Sequence, residues 1–255
     1  MATKTKEQVD AFDPTLDAGA GFEGVGAGDM AIPFLTILQD LSPQVKKQNP
    51  KFVKGAESGM IFNTLTNELY QKVQFIPCAF QKLWVEWKPR TLGGGFVKAH
   101  GDVTILQKTT KNDKNRDVLE NGNEIVTTAY HFGILAESQQ KVIIAMTSTQ
   151  LKKSRKWLSV MSEILAKDES GNRVTRDGRP VIMPTFSNVF EISTELEQKS
   201  DQSWFGWSIK LIGPVREKGT YLEAKGSNQQ FKTGGLLLTN AAPPDTESTE
   251  EAAPY

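Results

Sequence analysis

Ile125-Val126-Thr127-Thr128-Ala129-Tyr130-His131-Phe132-Gly133-Ile134-Leu135-Ala136 runs through Ser138-Gln139-Gln140 into Val142-Ile143-Ile144-Ala145-Met146-Thr147, and then into Ser148-Thr149-Gln150-Leu151-Lys152-Lys153. The two apolar runs are rich in β-branched and aromatic residues and are joined by a polar link of hairpin length. They predict an antiparallel pair of strands. Immediately afterwards the period changes. Leu151, Leu158, Met161 and Leu165, with Trp157 and Ile164 beside them, recur at helical spacing, and Ser148 and Thr149 stand where a helix cap would. Such a stripe packs a helix against a sheet.

Outward from this unit the signals remain those of strands. Residues 73–87 form a long aromatic run interrupted by Pro77, which lacks the amide donor a central ladder needs and so marks an edge or a bulge. Residues 96–107 continue the pattern. Residues 108–123 are a charged excursion containing the turn pair Asn121-Gly122. Beyond Asp177-Gly178 come residues 181–183, 186–193 and a last strong strand over 204–212. On the N-terminal side, Ile32, Phe34, Leu35, Ile37, Leu38 and Leu41 make a short apolar element that Pro43 stops. Many strands with hairpin-length links and no βαβ rhythm predict a mainly β protein, a small barrel with one or two helices. Strands, a single helix, then further strands is the order of an OB-fold. The expected layout is a disordered acidic, Gly-rich arm over 1–30, an OB-fold-like domain over 31–238 and a disordered acidic tail over 239–255.

Charge supports that layout. Basic and acidic residues number 30 each, yet residues 1–45 hold 2 basic and 7 acidic side chains, residues 46–160 hold 18 and 9, and residues 233–255 hold 0 and 4. A basic body between acidic ends makes a local field for a polyanion while the whole chain stays neutral. The single cysteine, Cys78, lies in an apolar run and suits a buried thiol in a reducing compartment. The N-terminus shows no leader pattern and no window is apolar enough to span a membrane, so a cytoplasmic protein with no membrane partner is expected.

Little points to catalysis, and no enzyme activity, cofactor or metal is expected. With two histidines and one cysteine, neither a zinc ligand set nor a Cys-His nucleophile is indicated. P-loop and G-x-S-x-G patterns are absent. Gly19-Ala20-Gly21-Phe22-Glu23-Gly24 matches G-x-G-x-x-G, but no strand precedes it and Pro33 follows closely, so it is a linker.

Binding chemistry is better represented. Trp84, Trp87, Lys88 and Arg90, followed by Gly93-Gly94-Gly95, Phe96 and Lys98, set aromatic faces and cations around a pliant turn. Rings stack on unpaired bases regardless of sequence while cations follow phosphates. Alternation places Trp84 and Trp87 on opposite strand faces, one core and one available. Lys152, Lys153, Arg155 and Lys156 crowd the start of the helix, where they oppose its dipole and so suggest a use beyond helix stability. Trp204, Trp207 and Lys210 repeat the aromatic-basic theme, at least half of these rings being core. In the tail, Asp245, Glu247, Glu250, Glu251 and the terminal Tyr255 can be read by partner proteins.

Several segments resemble tailed-phage early proteins: Ile32-Pro33-Phe34-Leu35, Ser42-Pro43, residues 59–63, the W-x-E-W-x-P-R segment (Trp84, Glu86, Trp87, Pro89, Arg90) and Thr149-Gln150-Leu151-Lys152-Lys153. The acidic tail with its terminal aromatic is similar to that of phage single-stranded DNA-binding proteins. That resemblance implies an OB-fold holding single-stranded DNA and a tail contacting replication proteins: polymerase, helicase or nuclease. The expectation is a sequence-tolerant single-stranded DNA-binding protein of phage DNA replication or recombination. The alternative is a non-enzymatic phage structural or host-interaction protein. A homodimer is compatible with either.

Overall fold

A computed structural model of the chain describes residues 14–25 and 30–232. The chain divides into two units, Met1–Met30 and Ala31–Tyr255. In the first, the described part contains a 3-10 turn, Pro14–Asp17. The second is mostly β, a curled half-barrel sheet carrying helices.

Among the described residues eleven strands join one sheet. They are β1 (Phe34–Ile37), β2 (Ile61–Asn63), β3 (Leu69–Tyr70), β4 (Lys72–Trp87), β5 (Phe96–His100), β6 (Thr109–Lys111), β7 (Asp117–Leu119), β8 (Glu124–Leu135), β9 (Lys141–Met146), β12 (Asn188–Lys199) and β13 (Gln202–Pro214). A separate two-stranded hairpin, β10 (Thr175–Arg176) with β11 (Arg179–Pro180), turns at Asp177 and Gly178, both at positive φ. The main path runs β13-β12-β4-β8-β9-β1-β2-β3; β5 adds to β4, and the β6–β7 hairpin adds to β8 through β7. The axis is the β4–β8 pair, in antiparallel register from Phe75↔Leu135 to Trp87↔Glu124.

The opening stretch of sequence forms the elements expected of it. β8 and β9 pair antiparallel through His131↔Ile144, and α1 (Gln150–Ser162) follows. Thr149 makes no side-chain capping bond because its backbone is already helical, whereas a capping hydroxyl is aimed from extended backbone. Trp157 and Met161 of α1 are buried against Phe75, Met146, Phe190, Ile192 and Trp207. A second helix, α2 (Lys218–Lys232), covers the other face. Its Ala224 packs with Ile76, Cys78 and Ile134, and its Phe231 ring lies 4.4 Å from that of Phe132. Consecutive strand residues His131 and Phe132 thus serve the two layers, His131 under α1 and Phe132 under α2.

Several regions differ from the sequence expectation: Ile164 and Leu165 lie beyond α1, residues 181–183 form no strand beyond an isolated bridge from Ile182 to Leu165, and α2 has no counterpart in the sequence reading. Residues 96–107 do not form one strand: β5 stops at His100, and Val103–Lys108 is a 3-10 turn whose start is capped when Thr104 N donates to Asp102 Oδ1 at 2.9 Å. The charged excursion is ordered as β6 and β7, because its turn lets Asp117 and Val118 pair with Ile125 and Glu124.

Among the described residues the sheet curls without closing by strand pairing, and side chains bridge the gap. Gln39, 4% exposed, accepts a hydrogen bond from Phe205 N and donates Nε2 to Phe205 O, both at 2.8 Å. Gln150 Oε1 accepts from Trp207 N at 2.9 Å, and Lys153 Nζ donates to Trp207 O at 2.6 Å. The outermost strand therefore has these amides and carbonyls satisfied, which protects an edge that would otherwise invite another strand.

Candidate nucleic-acid interface

The β4 strand changes its facing at a bulge. Before it, Val73 and Phe75 point into the α1 layer. Register then shifts between Pro77 and Ala79, leaving Cys78 extra, and an added residue reverses the alternation. Phe80 now faces the α1 side, its ring 5.1 Å from that of His131. Lys82, Trp84 and Glu86 follow on the same face by alternation, and their cross-strand partners His100 and Lys98 join them. Leu83, Val85, Trp87 and Phe96 occupy the α2 face.

The sheet is interrupted beside this segment. On the side away from β8, β4 pairs with β12 only from Lys72 to Phe75 and with β5 only from Trp84 to Trp87. Among the described residues, 76–83 have no strand partner there. Asn228 of α2 donates to the Cys78 carbonyl at 2.6 Å and fills the first part of the gap. The segment Thr185–Ser187 and the 3-10 turn Val103–Lys108 also pack against β4.

The sequence-predicted residues fall into distinct places. Trp84 is 8% exposed, and Lys82 Nζ lies 5.4 Å from its ring centroid. Trp87 is half-buried and stands edge-on to Phe96 at 6.0 Å. The two indoles thus lie on opposite faces, one core and one accessible. Lys88, Arg90 and Lys98 are exposed around the glycine turn, where Gly93, Gly94 and Gly95 all take positive φ. Such backbone is strained for residues bearing a Cβ, which accounts for three consecutive glycines. Trp204 and Trp207 are buried, Trp204 donating Nε1 to Glu197 Oε2 at 2.9 Å. Lys210 is exposed on the face opposite α1, because it stands across from Glu191 while the neighbouring pair Ile192↔Ile209 faces the core.

The helix cluster divides as well. Lys152, Arg155 and Lys156 are exposed. Lys153 has a role inside the fold: its Nζ is 2.7 Å from Glu195 Oε1, ion-paired to Glu197, and bonded to the Trp207 carbonyl. Its cation ties α1 to β12 and β13, which explains its place near a helix N-terminus. The tail residues Asp245, Glu247, Glu250, Glu251 and Tyr255 lie outside the described residues.

A polar cluster braces the β4–β5 corner. Glu86, 5% exposed, has Oε2 2.8 Å from His100 Nε2, and its Oε1 accepts from Asn123 Nδ2 at 2.7 Å. Burial pushes the Glu86 carboxyl up, but hydrogen bonds from Asn123, His100 and Asn121 outweigh it and hold the group below the usual carboxylate range. The charged form of Glu86 thus fixes β5 and the 121–123 turn onto β4. His131, by contrast, is buried neutral, its titration lowered to about 3 by desolvation. Its ring stacks on Trp157 at 4.4 Å and its Nε2 is 2.8 Å from Ser154 Oγ. Among the described residues no group of three or more His, Cys, Asp or Glu could hold a metal ion, and no helix is long and apolar enough to cross a membrane.

Sequence reasoning passed over Phe80 and Lys82. Phe80 ends the apolar run Phe75-Ile76-Pro77-Cys78-Ala79-Phe80, yet it is 41% exposed. Pro77 was the available signal, since a bulge there moves every later side chain of β4 to the other face.

The comparisons with known proteins bear on origin. Neither a curated protein nor a solved structure matches the chain. A model of the family described as Pam3 phage gp34-like protein matches residues 3–236, nearly the whole body on which the sheet, the bulge and the basic corner lie, and the chain therefore belongs to that phage family.

Proposed function

We propose that this phage protein is a sequence-tolerant single-stranded DNA-binding protein acting in phage DNA replication or recombination, and that it binds rather than catalyses. The observation that carries the reading is the α1-side face of the β4–β5 corner. There Lys82 and Lys98 project beside an interruption in the sheet, and α1 lies on that same face with Lys152, Arg155 and Lys156 exposed. Cations grouped on one side of a sheet follow a phosphate backbone, and exposed aromatic faces beside them suit unpaired bases rather than a stacked duplex. In this reading the acidic tail competes for the cations and recruits a polymerase, helicase or nuclease.

Fluorescence anisotropy with a labelled oligothymidylate tests the reading. Affinity should fall with salt at a log–log slope near −0.7 per phosphate, on the order of −2 to −4 for three to five contacts. Removing residues 241–255 should tighten binding most at low salt, where screening is weakest. Absence of single-strand binding at low salt would overturn the proposal. The burial of Trp84, Trp204 and Trp207 favours the second reading, a structural or host-interaction protein, since it withdraws three rings from base stacking. That reading expects no DNA binding and no effect of tail removal on it.

A further inference from the structure

We infer that Phe80 is the base-stacking platform of this protein, receiving one unpaired nucleobase in the break between β12 and β5. The inference rests on the single-stranded DNA-binding reading above and assigns the contact that reading otherwise lacks.

An exposed phenylalanine by itself is unremarked on most protein surfaces. Phe80 differs in its backing. Its ring leans on His131 at 5.1 Å, His131 stacks on Trp157 at 4.4 Å with an interplanar angle of 23°, and Trp157 abuts Phe190 at 5.5 Å and Phe75 at 5.7 Å. Ser154 Oγ, 2.8 Å from His131 Nε2, holds the middle ring of this series. The outer ring is thus anchored through successive aromatic contacts to the core under α1, and a ring already held in place loses little conformational freedom when a ligand stacks on it.

Its surroundings are those of a phosphate-bearing ligand. Lys82 projects two residues further along the same face, its Nζ 5.4 Å from the centroid of the Trp84 ring. The neutral state of His131 keeps the backing ring from adding a buried charge beneath the stack. Backbone geometry completes the site: the Cys78 bulge turns Phe80 onto this face, where its ring is 41% exposed. Trp87 and Phe96, the half-buried rings of β4 and β5, lie on the α2 face, away from Lys82 and Lys98. Of the accessible rings on β4 and β5, Phe80 is the one that shares a face with these cations.

The test compares wild type, Phe80→Ala and Phe80→Trp in the full-length protein, with a fluorescein-labelled oligothymidylate as probe. Loss of the ring should weaken binding roughly 5- to 150-fold, the range spanned by a single base–aromatic stack. Phe80→Trp should bind within about twofold of wild type and show indole emission that quenches on oligonucleotide addition. Ultraviolet cross-linking of wild type to the same probe, followed by peptide mapping, should place an adduct at Phe80, and this arm does not depend on any variant folding. Wild-type binding with an unchanged Phe80→Ala affinity, or with cross-links confined to Trp87 and Phe96, overturns the assignment and leaves single-strand binding standing. Failure of wild type to bind at all removes both.

Discussion

Acidification should destabilise this protein through His131 well before its carboxylates protonate. The group titrates near 6.5 when free and at about 3 in the fold, where desolvation disfavours the imidazolium. Between these values the unfolded chain takes up a proton that the native state refuses. Stability is therefore full above pH 6.5 and declines as pH falls towards 3, at up to about 1.4 kcal/mol per pH unit. Integrating over the unfolded-state titration gives a loss of about 2 kcal/mol between pH 7 and pH 5. Glu68, Glu86 and Glu191, whose carboxyls are held below their usual range, lose stabilisation in the same direction but only as pH falls below that range. The perturbation is His131→Phe, which keeps a ring against Trp157 and removes the titration. Ser154 Oγ, losing its partner, sits one helical turn after Gln150 and can bond that carbonyl. Urea unfolding of both proteins at pH values of about 7, 6 and 5 reads the slopes. Wild type should lose about 2 kcal/mol more than the variant over that interval. Parallel slopes would refute the assignment of a buried neutral imidazole.

Gln39→Ala should cost roughly 2–4 kcal/mol in chemical denaturation, because it strips partners from both the amide and the carbonyl of Phe205; a cost under about 0.5 kcal/mol would show that water replaces the bridge without loss. Gly133→Ala should lower the melting temperature sharply, since a Cβ there would overlap the Ile76 carbonyl oxygen and the Phe75 ring, neither of which can move without disturbing the β4–β8 ladder; an unchanged melting curve would contradict that packing. Cys78, buried and with its thiol pushed up to about 12 mainly by desolvation, should resist a thiol reagent in native protein and react stoichiometrically in denaturant; rapid native labelling would show that the α2 layer opens.

Period and punctuation were enough for the class and for most elements. The β8–β9 pair and α1 are legible because each buries one continuous face, so the apolar period is 2 in the strands and near 3.6 in the helix. Burial of Cys78 and the division of Trp84 from Trp87 follow from the same local rules. By contrast, α2 escapes a pattern search: its buried positions are Thr220, Ala224 and Ser227, small residues chosen for close approach to the sheet rather than for hydrophobicity. The parallel pairing of β1 with β9 also escapes, since partners distant in sequence leave no local trace.

At the candidate site the split is sharper. The sequence alone located the basic, aromatic β4–β5 corner and the charged start of α1, because charge density is a property of composition. Which of those groups faces outward was decided only by the tertiary structure. Lys153 reads as one of four equivalent cations until β12 brings Glu195 and Glu197 to it from more than forty residues away. Trp204 and Trp207 read as a pair of which at least half is core, and α1 and the Gln39 bridge cover the strand that carries both. Phe80 sits at the end of an apolar run, and one extra residue in a β-ladder turns it outward. Composition and period are sums over neighbours along the chain, whereas burial depends on what the rest of the fold places against a side chain, and a single bulge inverts that for every residue after it.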